Sequence, residues 1–276
     1  MLALPDGHEL VASIDTMVEG RHFPAGVFPE DIAYRAVAAA ASDLAAMGAQ
    51  PLGMTLALTL PDTDALWLRA FSEGVAQAVS AYGLPLVGGD TTRGPLTISV
   101  QVLGSVEQGE ALLRSGAREG DRLCVSGTLG DAAAALALEQ GSITAEPDDA
   151  DYLLQRFYRP TSRLSLARAL VGQATACIDI SDGLLADAGH IADASGVMIQ
   201  IDSAALPLSP ALSKSSNKDQ VIRWALSGGD DYELCFCLPE AVPVPAGCTV
   251  VGSVLAGEGI SCDVDVSELF GFDHFR

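Results

Sequence analysis

The stretch Leu52-Gly53-Met54-Thr55-Leu56-Ala57-Leu58-Thr59-Leu60 alternates without a break. Leu52, Met54, Leu56, Leu58 and Leu60 share one face, and Gly53, Thr55, Ala57 and Thr59 share the other. That period of two is the signature of a half-buried strand. Just before it, 29–47 carries helix punctuation: Pro29 early, Glu30 and Asp31 in the first turn, Gly48 past the end. Just after it, 64–82 reads as a second helix stopped by Gly83. Alternation returns at Leu96, Ile98, Val100 and Val102. Upstream, 9–14 reads as a strand ending at Asp15, and 84–87 as a short strand broken by Gly88-Gly89-Asp90.

A polar stretch at 107–110, with Gly109, marks a boundary, so the expected division is 1–108 and 109–276. A fresh pattern follows: a strand at 122–126, a turn at Gly127-Thr128-Leu129-Gly130 and a helix at 131–140. The acidic segment 146–151 reads as solvated, 162–171 as a helix, 175–180 as a strand, and 184–194 as a helix closed by Gly196. Strands at 197–201 and 232–238 flank an irregular polar segment at 209–219 and a helical one at 221–226. Strands and helices mix in both halves, so the fold class is α/β plus α+β in two domains.

The 276 residues hold 15 Lys+Arg against 36 Asp+Glu, a net charge of −21, with 49% apolar residues. The chain can bury a core, which excludes disorder as the main reading. Its charge repels a phosphate backbone, so no nucleic-acid partner is expected. Nucleotides and phosphate esters are repelled too, unless divalent cations intervene. No apolar run approaches the ~18 residues of a membrane span, and the N-terminus lacks a signal-peptide pattern. Cys124, Cys177, Cys235, Cys237, Cys248 and Cys262 form no C-x-x-C and sit mostly in apolar stretches. A cytoplasmic protein with reduced thiols is expected.

Aspartates recur beside glycines: Asp15, Asp90 after Gly88-Gly89, Asp179 and Asp182 before Gly183, and Asp230-Asp231 after Gly228-Gly229. Singly, each reads as a turn or cap residue. Together, short carboxylates near glycines suit hard cations that take oxygen ligands. Asp43 lies on the stripe Ile32, Ala36, Ala40, Asp43, Met47 of the first helix. An inward carboxylate needs a cation or a partner, and basic residues are scarce here. P-loop, kinase H-R-D and G-x-S-x-G motifs are absent from the sequence, which points to Mg²⁺-assisted phosphate chemistry of another kind. Gly127 to Gly130 suits either a phosphate cradle or tight packing. Arg93 and Arg114 suit either phosphate contact or the surface, and His22 either a structural or a ligand-binding role.

These residues together resemble the thiamine-monophosphate kinase family. The matching blocks are Ser13-Ile14-Asp15-Thr16-Met17-Val18-Glu19-Gly20-Arg21-His22-Phe23, Ser42-Asp43-Leu44-Ala45-Ala46-Met47-Gly48 and Leu86-Val87-Gly88-Gly89-Asp90-Thr91-Thr92-Arg93-Gly94. Further blocks are Leu113-Arg114-Ser115-Gly116-Ala117, Ile178-Asp179-Ile180-Ser181-Asp182-Gly183-Leu184, Gly228-Gly229-Asp230-Asp231-Tyr232-Glu233-Leu234 and Gly271-Phe272-Asp273-His274-Phe275. At Asp230 the family usually has Glu, a change with a shorter reach. The resemblance implies a fold like aminoimidazole-ribotide synthetase, with an N-terminal α/β domain that dimerises through its sheet and a C-terminal α+β domain. It implies ATP plus thiamine monophosphate giving ADP and thiamine diphosphate. By position it implies several Mg²⁺ ions on Ser13, Asp15, Asp43, Asp90, Asp179 and Asp182. It implies ATP contacts from Gly89, Asp90, Arg114, Ser181 and Tyr82, and substrate contacts from His22, Asp230 and Phe272. It also implies a homodimer.

The nucleophile would be a phosphate oxygen. A phosphomonoester loses its second proton near pH ~6, so no general base, and hence no catalytic side chain of that kind, is required. The family also carries an acidic Gly-x-Gly-Asp-Asp-Ala segment before the first strand, roughly where this chain begins with Met1-Leu2-Ala3-Leu4-Pro5. Reduced turnover is therefore expected of the chain as written. Two alternatives stand beside the kinase reading: a related ATP-using enzyme with another substrate, and an impaired form that binds metal and nucleotide.

Overall fold

The computed structural model describes residues 3–215 and 217–267. The first half is a four-stranded sheet in the order β1-β4-β2-β3, built from β1 (His8–Val18), β2 (Gln50–Leu60), β3 (Leu86–Arg93) and β4 (Thr97–Glu107). The helices α1 (Pro29–Ala46) and α2 (Ala65–Tyr82) cover one face of it. α1 begins at its proline and is alanine-rich, which lets it lie close on the sheet, with Ala38, Ala40 and Ala41 fully buried. α2 is capped by Asp64, which accepts from Leu66 N and Trp67 N, and ends at left-handed Gly83.

Two strands depart from the sequence expectation. β1 does not end at Asp15 but continues to Val18, and β3 is not broken by Gly88-Gly89-Asp90 but contains them. The glycine there serves close approach and not a turn. A Cβ on Gly89 would collide with the Leu56 carbonyl of the neighbouring strand. Asp15 and Asp90 are thus strand residues, held by sheet ladders.

The second half is a six-stranded sheet in the order β10-β7-β9-β5-β8-β6. In chain order it comprises β5 (Arg122–Ser126), α3 (Asp131–Glu139), α4 (Pro147–Tyr158), α5 (Leu164–Leu170), β6 (Ala176–Asp179), α6 (Leu184–Ser195), β7 (Met198–Ile201), α7 (Pro210–Ser213), α8 (Lys218–Ser227), β8 (Leu234–Leu238), β9 (Cys248–Leu255) and β10 (Gly259–Cys262). The acidic segment 146–151 is largely exposed and opens α4, where Asp148 and Asp149 complement the positive end of the helix dipole. α7 lies within the stretch read as irregular. β8 is buried throughout. Cys235 and Cys237 lie fully buried on it as free thiols, with burial pushing both thiols up. No described helix is long and apolar enough to cross a membrane.

Candidate active site

The two halves face each other across a cavity of about 910 Å³. From the first half come Asp15 on β1, His22 in the following loop, and Arg35 and Asp43 on α1. From the second come Asp179 at the end of β6, Ser181 and Asp182 after it, and Asp230 before β8.

Strand parity aims Asp15. Ser13, Asp15 and Met17 stand opposite Val102, Val100 and Ile98 of β4, which are buried beneath the helices. All three side chains therefore turn to the helix-covered face. There Ser13 Oγ donates to Asp43 Oδ2 at 2.5 Å. Burial pushes Asp15 up to about 6, and the charges of Asp43 and Asp230 add to the rise. Burial pushes Asp179 up to about 7, and the charge of Asp43 again adds to it. Asp43 is itself raised by burial, against the pull of the Ser13 bond and the Arg114 charge. Carboxylates from three elements in two halves thus crowd one another.

The loop after β6 is fastened by Asp187 in the first turn of α6. Its Oδ2 accepts from Ser181 N at 3.0 Å and from Asp182 N and Gly183 N at 3.1 Å. The sequence reading missed Asp187. Its signal was an aspartate one turn into the helix that follows Ser-Asp-Gly. A second loop lies against the first: Asp230 N and Tyr232 N each donate at 2.9 Å to the carbonyls of Ser181 and Ile180. Asp230 (φ 70°) and Tyr232 (φ 51°) are left-handed, a costly conformation for residues with a Cβ. Between them, Asp231 faces the other way and accepts from Gly130 N at 2.7 Å and Ala132 N at 3.3 Å, at the start of α3. His22 Nδ1 accepts from Val18 N at 3.0 Å, which assigns the proton of the neutral ring to Nε2.

Not every residue named from the sequence lies here. Asp90 and Gly89 sit on β3, at the sheet edge opposite β1. Three strand spacings, roughly 14 Å, separate the two edges. By register, Asp90 aligns with Ala57 and Ser99, on the uncovered face. Arg114 is exposed, close enough for its charge to reach Asp43. Tyr82 is buried away from the cavity, donating to the Pro160 carbonyl at 2.7 Å and paired with Tyr34 Oη at 2.9 Å. Phe272 lies outside the described residues.

Among the described residues, no group of three or more His, Cys, Asp or Glu is arranged to hold a metal ion. The donors that do converge are carboxylates and a hydroxyl. Such oxygens suit Mg²⁺, which is usually held by one or two carboxylates together with waters and substrate phosphates. The mutual crowding of Asp15, Asp43 and Asp179 is a cluster that a hard cation would relieve.

Residues 1–106 match the AIR synthase related protein, N-terminal domain, and residues 118–236 match the AIR synthase related protein, C-terminal domain. Fold and site thus define an AIR synthase related protein. Thiamine-monophosphate kinase of Escherichia coli K12 is 45% identical over 100% of this chain and 89% of its own. The crystal structure of thiamine-monophosphate kinase from Stenotrophomonas maltophilia K279a is 42% identical, with a TM-score of 0.88 over 94% of this chain and 86% of that one. AaThiL complexed with AMPPCP and TMP is 36% identical, with a TM-score of 0.92 over 99% and 90%. The chain belongs to the thiamine-monophosphate kinase family.

Proposed function

We propose that the protein transfers the terminal phosphoryl group of ATP to a phosphate oxygen of thiamine monophosphate, giving thiamine diphosphate and ADP. The bond from the γ-phosphorus to the bridging oxygen breaks and its electron pair stays on ADP. The new P–O bond forms to a substrate oxygen that is already deprotonated at neutral pH. The observation that carries this reading is the crowding of Asp15, Asp43 and Asp179 in one cavity, in a chain of this family.

In this reading Ser13, Asp15, Asp43, Asp90, Asp179 and Asp182 hold Mg²⁺, which when bound neutralises the two phosphate chains and stabilises the transferring group. Gly89, Asp90, Arg114 and Ser181 form the ATP set, and His22, Asp230 and Phe272 contact thiamine monophosphate. The protein's task is positioning: loops fastened by Asp187 and a strand-borne Asp15 hold the groups in line. The division at 108/109 separates the ATP-binding and dimerisation domain from the C-terminal domain, and the protein acts in the cytoplasm.

A homodimer through the first sheet belongs to the same proposal. Leu10 and Ile14 on its uncovered face are 58% and 63% exposed, and β1 and β3 are free edges. A second copy would cover that face and bring its β3, with Asp90, toward the β1 edge. Release of ADP with thiamine monophosphate is the deciding assay, run with Mg²⁺ and with EDTA. Metal-dependent release supports the reading, and nucleotide affinity unchanged by EDTA overturns the metal assignment. Light scattering should give a dimer mass that Ile14→Lys reduces to a monomer. A monomeric parent protein overturns the assembly.

A further inference from the structure

Arg35 is a cation in an acidic cavity that the phosphoryl-transfer reading leaves unused. It projects from α1, is 1% exposed, and is among the largest fully buried side chains. Its guanidinium lies 3.9 Å from the centre of the Phe157 ring and donates to the Phe157 carbonyl. Its Nη2 stands 2.8 Å from Asp230 Oδ1. Tyr232 Oη donates to the same Oδ1 at 3.0 Å, while 37% of the Asp230 side chain remains exposed at the cavity. Stacking, carbonyl and carboxylate together fix the plane of the guanidinium, and the guanidinium fixes the carboxylate.

Asp230 is close enough to Asp15 for its charge to act there. Left unpaired, it would be one more hard oxygen donor beside the cation ligands. We propose that Arg35 is a positioning residue that divides the acidic cavity. By pairing with Asp230 it withdraws that carboxylate from the cation-binding group and reserves it as a hydrogen-bond acceptor for the organic part of the phosphate-bearing substrate. The inference rests on the proposed function, since it presupposes that thiamine monophosphate is the acceptor. A carboxylate already neutralised by a guanidinium is a poor ligand for Mg²⁺ but still accepts from a neutral amino group such as that of an aminopyrimidine. The pairing also uses length: the longer basic chain meets the shorter acid.

The test exchanges reach while keeping charge. Arg35→Lys, Asp230→Glu and the double variant are compared for KM of thiamine monophosphate and of ATP, measured separately, beside thermal melts. Each single variant is expected to raise KM for thiamine monophosphate about tenfold and leave KM for ATP within about twofold. The double variant, which shortens the reach of the base by about one bond and lengthens the acid by a methylene, is expected to return within about threefold of the parent. A parallel rise in both KM values, a double variant no better than the worse single, or altered melting with unaltered kinetics overturns the proposal. Asp230→Glu changes a partly exposed side chain, so the test survives a failure of Arg35→Lys to fold. If the parent protein does not turn over thiamine monophosphate, both readings fall. If it does and Arg35→Lys matches it in KM, only this one falls.

Discussion

Two acidic regions of the molecule, one fully buried around Glu233 and one opening on the cavity with Asp15 and Asp43 half-buried, are treated in opposite ways. Around Glu233, which is fully buried, the charge is answered from within the chain. Arg163 Nε and Nη2 both donate at 2.5 Å, Arg156 Nη2 donates at 2.9 Å, and Ser126 Oγ donates as well. Burial pulls Arg156 down, but the nearby charges of Glu233, Asp231 and Asp131 more than offset it and hold the guanidinium above its usual range. Around Asp15, Asp43 and Asp179 no comparable set of arginines closes in among the described residues. Ser13 bonds Asp43, and Arg114 acts on it only through its charge. The difference separates architecture from function. A buried charge neutralised by its own chain holds the fold in one arrangement, whereas carboxylates left to crowd one another await a partner from outside.

The sharpest break of this comparison is the same chemical change made in each region. Glu233→Gln leaves two arginines short of their acid and should cost about 3–5 kcal/mol of stability. Denaturant unfolding measures it, and an unshifted midpoint removes the architectural role. Asp43→Asn should do the reverse. Turnover should fall by ~100-fold or more, about 3 kcal/mol of transition-state stabilisation, while the melting temperature holds or rises as repulsion is relieved. An unstable Asp43→Asn with intact turnover would reverse the assignment. Asp187→Ala lies between the two, since its carboxylate fixes a loop of the cavity and also feels the charges of Asp179 and Asp182. Turnover is expected to fall roughly tenfold with a loss of about 1–2 kcal/mol. Amide exchange at 181–183 reports on it: protection equal to the parent's would show that the loop is held by other means.

Legibility in the sequence followed the kind of signal. The first two helices were placed to within two residues because Pro29, Asp64 and Gly83 act through local backbone geometry. The interiors of β1 and β3 were misplaced for the opposite reason. Aspartate and glycine usually punctuate, but Gly89 is a glycine because the Leu56 carbonyl occupies the space of a side chain, a non-local cause. Asp15, Asp43, Asp179, Asp182 and Asp230 all stand out in the sequence, beside glycines or on an apolar stripe, and the cavity gathers them. Arg35 was not, because an arginine on a helix reads as surface, and only the packing of Phe157 and the 230 loop around it makes it internal. The Arg156–Glu233–Arg163 network was likewise hidden by sequence separations of about 70 residues.

The placement of Asp15 within β1 has one more consequence. Ile14 and Thr16 point to the uncovered face and Asp15 to the cavity, so one strand writes two messages on alternate residues. Inserting or deleting a single residue before Asp15, with the ladder to β4 kept, would exchange them. The cavity would receive Ile14 or Thr16, and the open face would receive an aspartate. A frame error of one position would therefore strike both faces of the sheet at once, and no repair confined to one face could undo it.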